Sequence, residues 1–308
     1  MTPSSTFPDP IQTARRLPWT SLVDEIGLLL ADDAVQVPLR LVQALPGGGS
    51  LFVMPALDGR IAITKLITYT PANATRGLPA IQGDVVVFDV ATGQRRLVLD
   101  GPTVTARRTA AVSAFAAQRL AMNTQGPMLI VGAGVQGKAH MEAFAEVLGV
   151  SEFCIASRSP ESAARLIAHG QAMGLNTRLV ADANAALADC PLAVTCTPAS
   201  GIVLHALPRG DAFISAVGAF TPEMVELSPR LCRHFAERGH IFVDTADALH
   251  EAGDLLQAAL KVSSFATLSD VVRQGMKKPA GPVLFKSCGW AGWDLAAARV
   301  AYRSEPIA

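Results

Sequence analysis

The segment Met128-Leu-Ile-Val-Gly132-Ala133-Gly134-Val135-Gln136-Gly137 constrains this chain more than any other. An apolar run ends directly in G-x-G-x-x-G, and a helical pattern opens on the last glycine. Strand, glycine turn and helix in that order separate a dinucleotide-binding start from a chance glycine repeat. Each glycine has its own reason. Gly132 permits a tight turn, Gly134 lets the backbone approach a pyrophosphate, and Gly137 lets the helix pack closely on the strand. The helix start then offers free N–H groups and a partial positive charge to the phosphates. Gly132 to Lys138 also spells G-x-x-x-x-G-K, but Ala139 stands where a Walker loop needs Ser or Thr, so triphosphate hydrolysis is rejected.

Further apolar runs follow the motif: Phe153 to Ala156, Leu192 to Cys196, Phe213 to Val217 and Ile241 to Val243. Helical stretches lie between them, notably 137–148 and 160–173. Such alternation predicts an α/β fold, a Rossmann-type parallel sheet covered on both faces. The half before Thr105 has another rhythm. A loose arm is expected over 1–18 and a helix over 19–31. Strands are expected over Leu39–Leu45, Leu51–Met54, Arg60–Tyr69, Val85–Val90 and Arg95–Leu99, with Thr92-Gly93 as a hairpin turn. An Ala-rich helix is expected over 107–122. The segment from Leu284 to Tyr302 leaves the alternation and is expected to pack back on the N-terminal half. A chain of 308 residues accommodates two domains.

Lys plus Arg and Asp plus Glu number 26 each, so no net field draws nucleic acid or an anionic membrane. Aromatic residues are only 6%, which argues against a base-stacking platform. The cysteines are odd in number and form no C-x-x-C, so neither a zinc cage nor a disulfide framework is expected. Met1 to Pro10 carries no leader pattern, and no long uncharged apolar run occurs. The expectation is a cytoplasmic protein with no nucleic-acid or membrane partner. The histidines form no metal pattern, since His250-Glu251 is followed by Asp254 where a zinc motif needs histidine. His140 is expected on an exposed helix face. No G-x-S-x-G occurs.

The end of the second strand bears on which dinucleotide binds. An NAD enzyme usually carries an acid there for the ribose 2′-hydroxyl. This chain has Ala156-Ser157-Arg158-Ser159, with no acid. Arg158 with Ser157 and Ser159 suits a 2′-phosphate and favours NADP(H). In the other reading Arg158 is a solvated surface residue and NAD(H) binds. Thr195, Val217 and Gly218, at the ends of later strands, complete the expected cofactor contacts.

Lys65 shares a strand face with Ile61, Ile63, Ile67 and Tyr69. An ammonium there must reach water, pair with an acid or lose its proton. A desolvated lysine suits acid–base work near neutral pH, whereas a lysine at a sheet edge guards against aggregation. The residues alone leave both readings open. Arg40 and Arg108 are candidate carboxylate clamps, since guanidinium matches a carboxylate with two parallel hydrogen bonds. Arg108 is expected at a helix start, where the helix adds positive potential. The other reading of each is a surface arginine.

The chain resembles the ornithine cyclodeaminase/mu-crystallin family over nearly its whole length. The matching segments are Val53-Met-Pro-Ala56, Lys65-Leu-Ile-Thr-Tyr-Thr-Pro-Ala-Asn73, Thr105-Ala-Arg-Arg-Thr-Ala-Ala111, Val131-Gly-Ala-Gly-Val-Gln-Gly-Lys-Ala-His140, Ala216-Val-Gly-Ala219 and Phe285-Lys-Ser-Cys-Gly289. The resemblance implies a Rossmann domain over 119–289, and an α+β substrate and dimerisation domain built from both chain ends, 1–118 with 290–308. It also implies a homodimer and a small imino or amino acid substrate. It makes Lys65 the catalytic lysine and Arg108 the substrate-carboxylate arginine, with Arg40 in the place of a second and Arg107 a bystander. Two positions depart from ornithine cyclodeaminase, which has acids where this chain has Phe52 and Phe220. Phenylalanine cannot receive an amino group, so a more apolar ligand is expected. The resulting expectation is an NAD(P)H-dependent reductase of cyclic imino acids of the pyrroline-2-carboxylate or piperideine-2-carboxylate type, with Lys65 as proton donor and no metal. The alternatives are ornithine cyclisation with loss of ammonia, an alanine dehydrogenase-like amino acid oxidoreduction, and a mu-crystallin-like dinucleotide-dependent binder without turnover. Asp294 either orients Lys65 or is a helix-surface carboxylate.

Overall fold

The computed structural model describes residues 8–304. They form two compact units, one running to Arg108 and resuming at Trp290, the other Thr109–Gly289. No described helix is long and apolar enough to cross a membrane.

The first unit is built on a five-stranded antiparallel meander in sequence order: β1 (Leu41–Ala44), β2 (Ser50–Leu57), β3 (Ile61–Tyr69), β4 (Ile81–Asp89) and β5 (Arg95–Asp100). Period-two alternation drives it. Ile61, Ile63, Lys65 and Ile67 of β3 are buried, while Leu66 points to solvent. The hairpin at Thr92-Gly93 forms as expected, with the Asp89 carboxylate accepting from the Thr92 amide and hydroxyl. The helices Trp19–Ala31 and Ala291–Arg303 pack on each other, and the second lies on β2, β3 and β4.

The expected loose arm over 1–18 needs correction in part. Pro10–Arg15 is a helix, with Asp9 accepting from the Ile11 amide and Pro10 in the first turn. Residues 1–7 of that arm lie outside the described residues. The helix expected from 107 starts six residues earlier, as Gly101–Leu120, because Asp100 accepts from the Thr103 amide and caps it. Arg108 therefore lies two turns inside the helix, and the expected help from a helix start is absent.

Buried charge ties the C-terminal helix to the N-terminal half. The Arg299 guanidinium meets Asp58 in the β2–β3 turn, Asp32 after the helix Trp19–Ala31, and Glu25 within it. Arg303 also bonds Glu25.

The second unit holds an eight-stranded parallel sheet. Its strands are β6 (Met128–Val131), β7 (Glu152–Ala156), β8 (Asn176–Leu179), β9 (Leu192–Thr195), β11 (Phe213–Ala216), β13 (His240–Val243), β14 (Ala266–Thr267) and β15 (Val283–Lys286). The order is β14-β13-β15-β11-β9-β6-β7-β8. Two more strands, β10 (Ser200–Leu204) and β12 (Val225–Leu227), pair beside it. β6, β9, β11 and β15 are buried throughout, which explains their unbroken apolar runs. β15 corrects the expectation for Leu284 onward. It sits between β11 and β13, and the chain returns to the first unit only at Trp290. His140 also corrects an expectation. It lies on the buried stripe of the helix Val135–Leu148 with Gly137, Met141 and Phe144, one helical period apart. Its Nδ1 is 2.8 Å from the Gln136 carbonyl and its Nε2 is 2.9 Å from Ser113 Oγ. Burial lowers its pKa to about 4, so the ring is neutral.

Removing Arg299 strands carboxylates that are largely out of water. Arg299→Leu is expected to lower unfolding free energy by about 3 kcal/mol, the usual cost of deleting one partner of a buried pair. Urea denaturation of the full chain measures it, and a change within 0.5 kcal/mol, typical of a surface substitution, would show the contacts to be idle.

Candidate active site

β3 is the central strand of its sheet, so Lys65 is not an edge lysine. It stands opposite Met54 on β2 and Val85 on β4 and is 1% exposed. A charge so placed needs a partner, and the C-terminal helix brings it. Asp294 Oδ2 is 2.7 Å from Lys65 Nζ, and Asp294 Oδ1 is 3.3 Å from Arg108 Nε. All three side chains are buried. Asp294 is therefore no helix-surface carboxylate. The signal for it was in the sequence: a lone acid among Trp293, Leu295, Ala296, Ala297 and Ala298, all buried.

Burial is the largest influence on Lys65 and lowers its pKa to about 8. Asp294 opposes this, while Arg108 and Arg40 add to it. Arg40 precedes β1, half-buried and near enough to act on Lys65. The structure thus brings together the three residues singled out in the sequence and decides for Asp294 the first of its two readings, the partner of Lys65. Arg107, by contrast, donates to the Leu17 carbonyl and lies 3.8 Å over the Trp19 ring, a packing role. On β2, Phe52 stands opposite Ile67 as Met54 stands opposite Lys65, so these four side chains share one face. Chemically this is an apolar surface carrying one titratable ammonium and two guanidinium groups. With two arginines set against the one carboxylate of Asp294 beside Lys65, it suits an anionic ligand.

In the second unit the expected cofactor residues cluster at one edge. Ala156, Val131, Thr195 and Ala216 are register partners at the carboxyl ends of four adjacent strands. From that row spring the turn Gly132-Ala133-Gly134, the segment Ser157-Arg158-Ser159 and the pair Val217-Gly218. Gly132 has φ 116, and a Cβ there would come 2.7 Å from the Cys196 carbonyl oxygen. A Cβ on Gly137 would meet the Gly132 carbonyl oxygen at 2.1 Å, so the helix reaches the strand only through glycine. Gly134 caps the helix with no side-chain bond, and a Cβ there would meet open space. The first-turn amides of Val135, Gln136 and Gly137 have no partner in their own helix. This is a cradle that fits a pyrophosphate. Arg158 is exposed and Ser157 half-buried, with no acid in the segment. Ser159 caps the helix Pro160–Ala172, accepting from the Ser162 amide.

Thr195 departs from expectation. Its side chain is buried, and its hydroxyl donates to Glu226 Oε2 at 2.9 Å. Glu226, Asp254 and Lys286 form a buried charge cluster that the sequence reading missed. Burial pushes the Glu226 carboxyl up, with Lys286 and the Thr197 amide drawing it back. Burial alone would lower Lys286, but nearby acids, Asp254 foremost, carry it above its ordinary value. No group of three or more metal-binding side chains occurs among the described residues.

A parallel sheet entered through a strand, a glycine turn and a helix defines the dinucleotide-binding class of α/β proteins. The ornithine cyclodeaminase/mu-crystallin family model matches residues 28–305, and the chain belongs to that family. It is 38% identical to a Delta(1)-pyrroline-2-carboxylate/Delta(1)-piperideine-2-carboxylate reductase of Azospirillum brasilense, covering 98% of this chain and 97% of that one. It is 33% identical to the ketimine reductase mu-crystallin of Mus musculus, over 89% of this chain and 86% of the other. The fold matches a Thermococcus litoralis Delta(1)-pyrroline-2-carboxylate reductase in complex with NADH and L-proline. The TM-score is 0.86, with 23% identity over 95% of both chains.

Lys65 should titrate near pH 8, visible by NMR of protein carrying 13C-labelled lysine. Asp294→Asn removes the group that raises Lys65, so the midpoint should move further down. An unchanged or higher midpoint would refute the assignment of Asp294 as the partner.

Proposed function

We propose that this protein is an NAD(P)H-dependent reductase of cyclic imino acids of the pyrroline-2-carboxylate and piperideine-2-carboxylate type. The observation that carries the reading is Lys65, buried beside two arginines and able to give up a proton near neutral pH. The 38% identity to a reductase of these substrates supports it. Arg108 and Arg40 hold the ring carboxylate. Lys65 delivers a proton from Nζ to the imine nitrogen, making the ring carbon a better hydride acceptor. Bound nicotinamide supplies the hydride to that carbon. The C=N bond thereby becomes CH–NH, and Lys65 is left neutral until water returns its proton. Asp294 keeps the ammonium oriented and charged. Phe52 presents no acceptor to a second amino group, which disfavours ornithine.

Within this reading NADP(H) is preferred over NAD(H), because Arg158 and Ser157 suit a 2′-phosphate and the segment 156–159 at the end of β7 carries no acid for a ribose 2′-hydroxyl. The protein acts in the cytoplasm as a homodimer. β1 supports the dimer: it is an edge strand with Leu41 and Val42 exposed, a surface that a second copy would cover.

The test follows absorbance of the reduced nicotinamide with pyrroline-2-carboxylate, with pyruvate plus ammonia, and with ornithine plus NAD. Oxidation with the cyclic imine alone is expected, with kcat/KM falling above about pH 8 as Lys65 loses its proton. Lys65→Met should cut kcat by about 100-fold or more, the usual contribution of a general acid, and leave dinucleotide Kd near wild type. Ammonia released from ornithine would overturn the proposal. Arg158→Ala should weaken NADPH about tenfold, the loss of one charged hydrogen bond to phosphate, with little change for NADH. Equal weakening of both would remove the cofactor assignment.

A further inference from the structure

Glu226, Asp254 and Lys286 are as buried as any core residue, yet no step above uses them. Besides bonding one another and the adjacent strand ends, they grip two loops at the carboxyl edge of the sheet. The Glu226 carboxylate accepts four hydrogen bonds. They come from the Thr197 amide at 2.7 Å, the Thr197 hydroxyl at 2.8 Å, the Gly218 amide at 2.7 Å and the Thr195 hydroxyl at 2.9 Å. One side chain thereby joins the loop after β9 to the loop after β11. Lys286 Nζ donates to the Ala219 carbonyl at 2.6 Å and pairs with Asp254 Oδ2 at 3.0 Å. Asp254 Oδ1 in turn accepts from the amides of Glu226 and Leu227 at 2.6 and 2.8 Å. The loop after β11 is therefore held at consecutive residues, Gly218 by its N–H and Ala219 by its C=O.

The fit leaves no slack. A Cβ on Gly218 would lie 2.4 Å from Glu226 Oε1 and 2.4 Å from the Thr197 carbonyl oxygen. In the loop after β9, Ala199 takes a left-handed conformation with φ 53, and its amide donates to Thr197 Oγ1. Apolar side chains of the same volume would stabilise such a core at least as well. What charges do there, and apolar groups cannot, is fix backbone N–H and C=O groups in one arrangement.

In a sheet of this kind the pyrophosphate sits over the first strand and the adenosine ribose over the second. Those are β6 and β7, so the other half of the dinucleotide extends over β9 and β11, on the far side of β6. We propose that Glu226, Asp254 and Lys286 are positioning residues that preset the loops 196–199 and 217–220 to receive the nicotinamide half of the cofactor. The inference rests on dinucleotide binding at this edge, and the experiment separates the two.

Glu226→Gln keeps the shape and removes the charge. Binding is measured by calorimetry for NADPH against 2′-phospho-ADP-ribose and for NADH against ADP-ribose, the second of each pair lacking nicotinamide. The variant should bind the full dinucleotide about tenfold more weakly, a weakened charged hydrogen bond, and bind the truncated probe within about twofold of wild type. Equal weakening of both, or no change in either, overturns the proposal. A wild-type protein that binds neither dinucleotide overturns the cofactor reading itself. If Glu226→Gln yields no folded protein, Thr195→Val removes one donor to Glu226 and leaves the carboxylate in place. It is held to the same split between full and truncated ligands.

Discussion

A lysine in the middle of a five-stranded sheet cannot keep its charge without a carboxylate, and none of the five strands brings one to it. Asp294 supplies it from the helix at the other end of the chain. That requirement makes the first unit discontinuous in sequence. The terminal helix is fastened to it twice over, by Asp294 beneath the sheet face and by Arg299 on the Glu25, Asp32 and Asp58 carboxylates. The counter-ion of Lys65 and the closure of the unit therefore come from one helix.

The second unit solves a different problem. A parallel sheet gathers the carboxyl ends of its strands along one edge, and a long ligand must find ordered backbone there. Glycine provides it at the first strand, by close approach and free amides. On the next two strands, β9 and β11, buried charge holds the loops from beneath.

How far the sequence led depended on whether local pattern or distant partners fixed each feature. The glycine turn, the meander and the interior strands of the parallel sheet other than β15 were legible because period and turn chemistry specify them. β8 and β14 were not. Asn-Thr-Arg-Leu at a sheet edge and a two-residue strand carry no hydrophobic period. Lys65 and Arg108 were legible as residue types, and the family resemblance assigned them roles, but whether Lys65 sat at an edge or a centre depended on strand order. His140 was misjudged, and Asp294 left between two readings, because polar type was weighed above position on a buried helix stripe. Glu226 and Lys286 each close an interaction with residues far along the chain, and no spacing rule announces that.

The return of the chain to its starting unit has a consequence for biosynthesis. At ~5–20 residues per second, the ribosome spends on the order of ten to forty seconds making the segment between Arg108 and Trp290. Through that interval the nascent meander has neither its covering helix nor the counter-ion for its central ammonium. The order of synthesis leaves the layer around Lys65 the last to close.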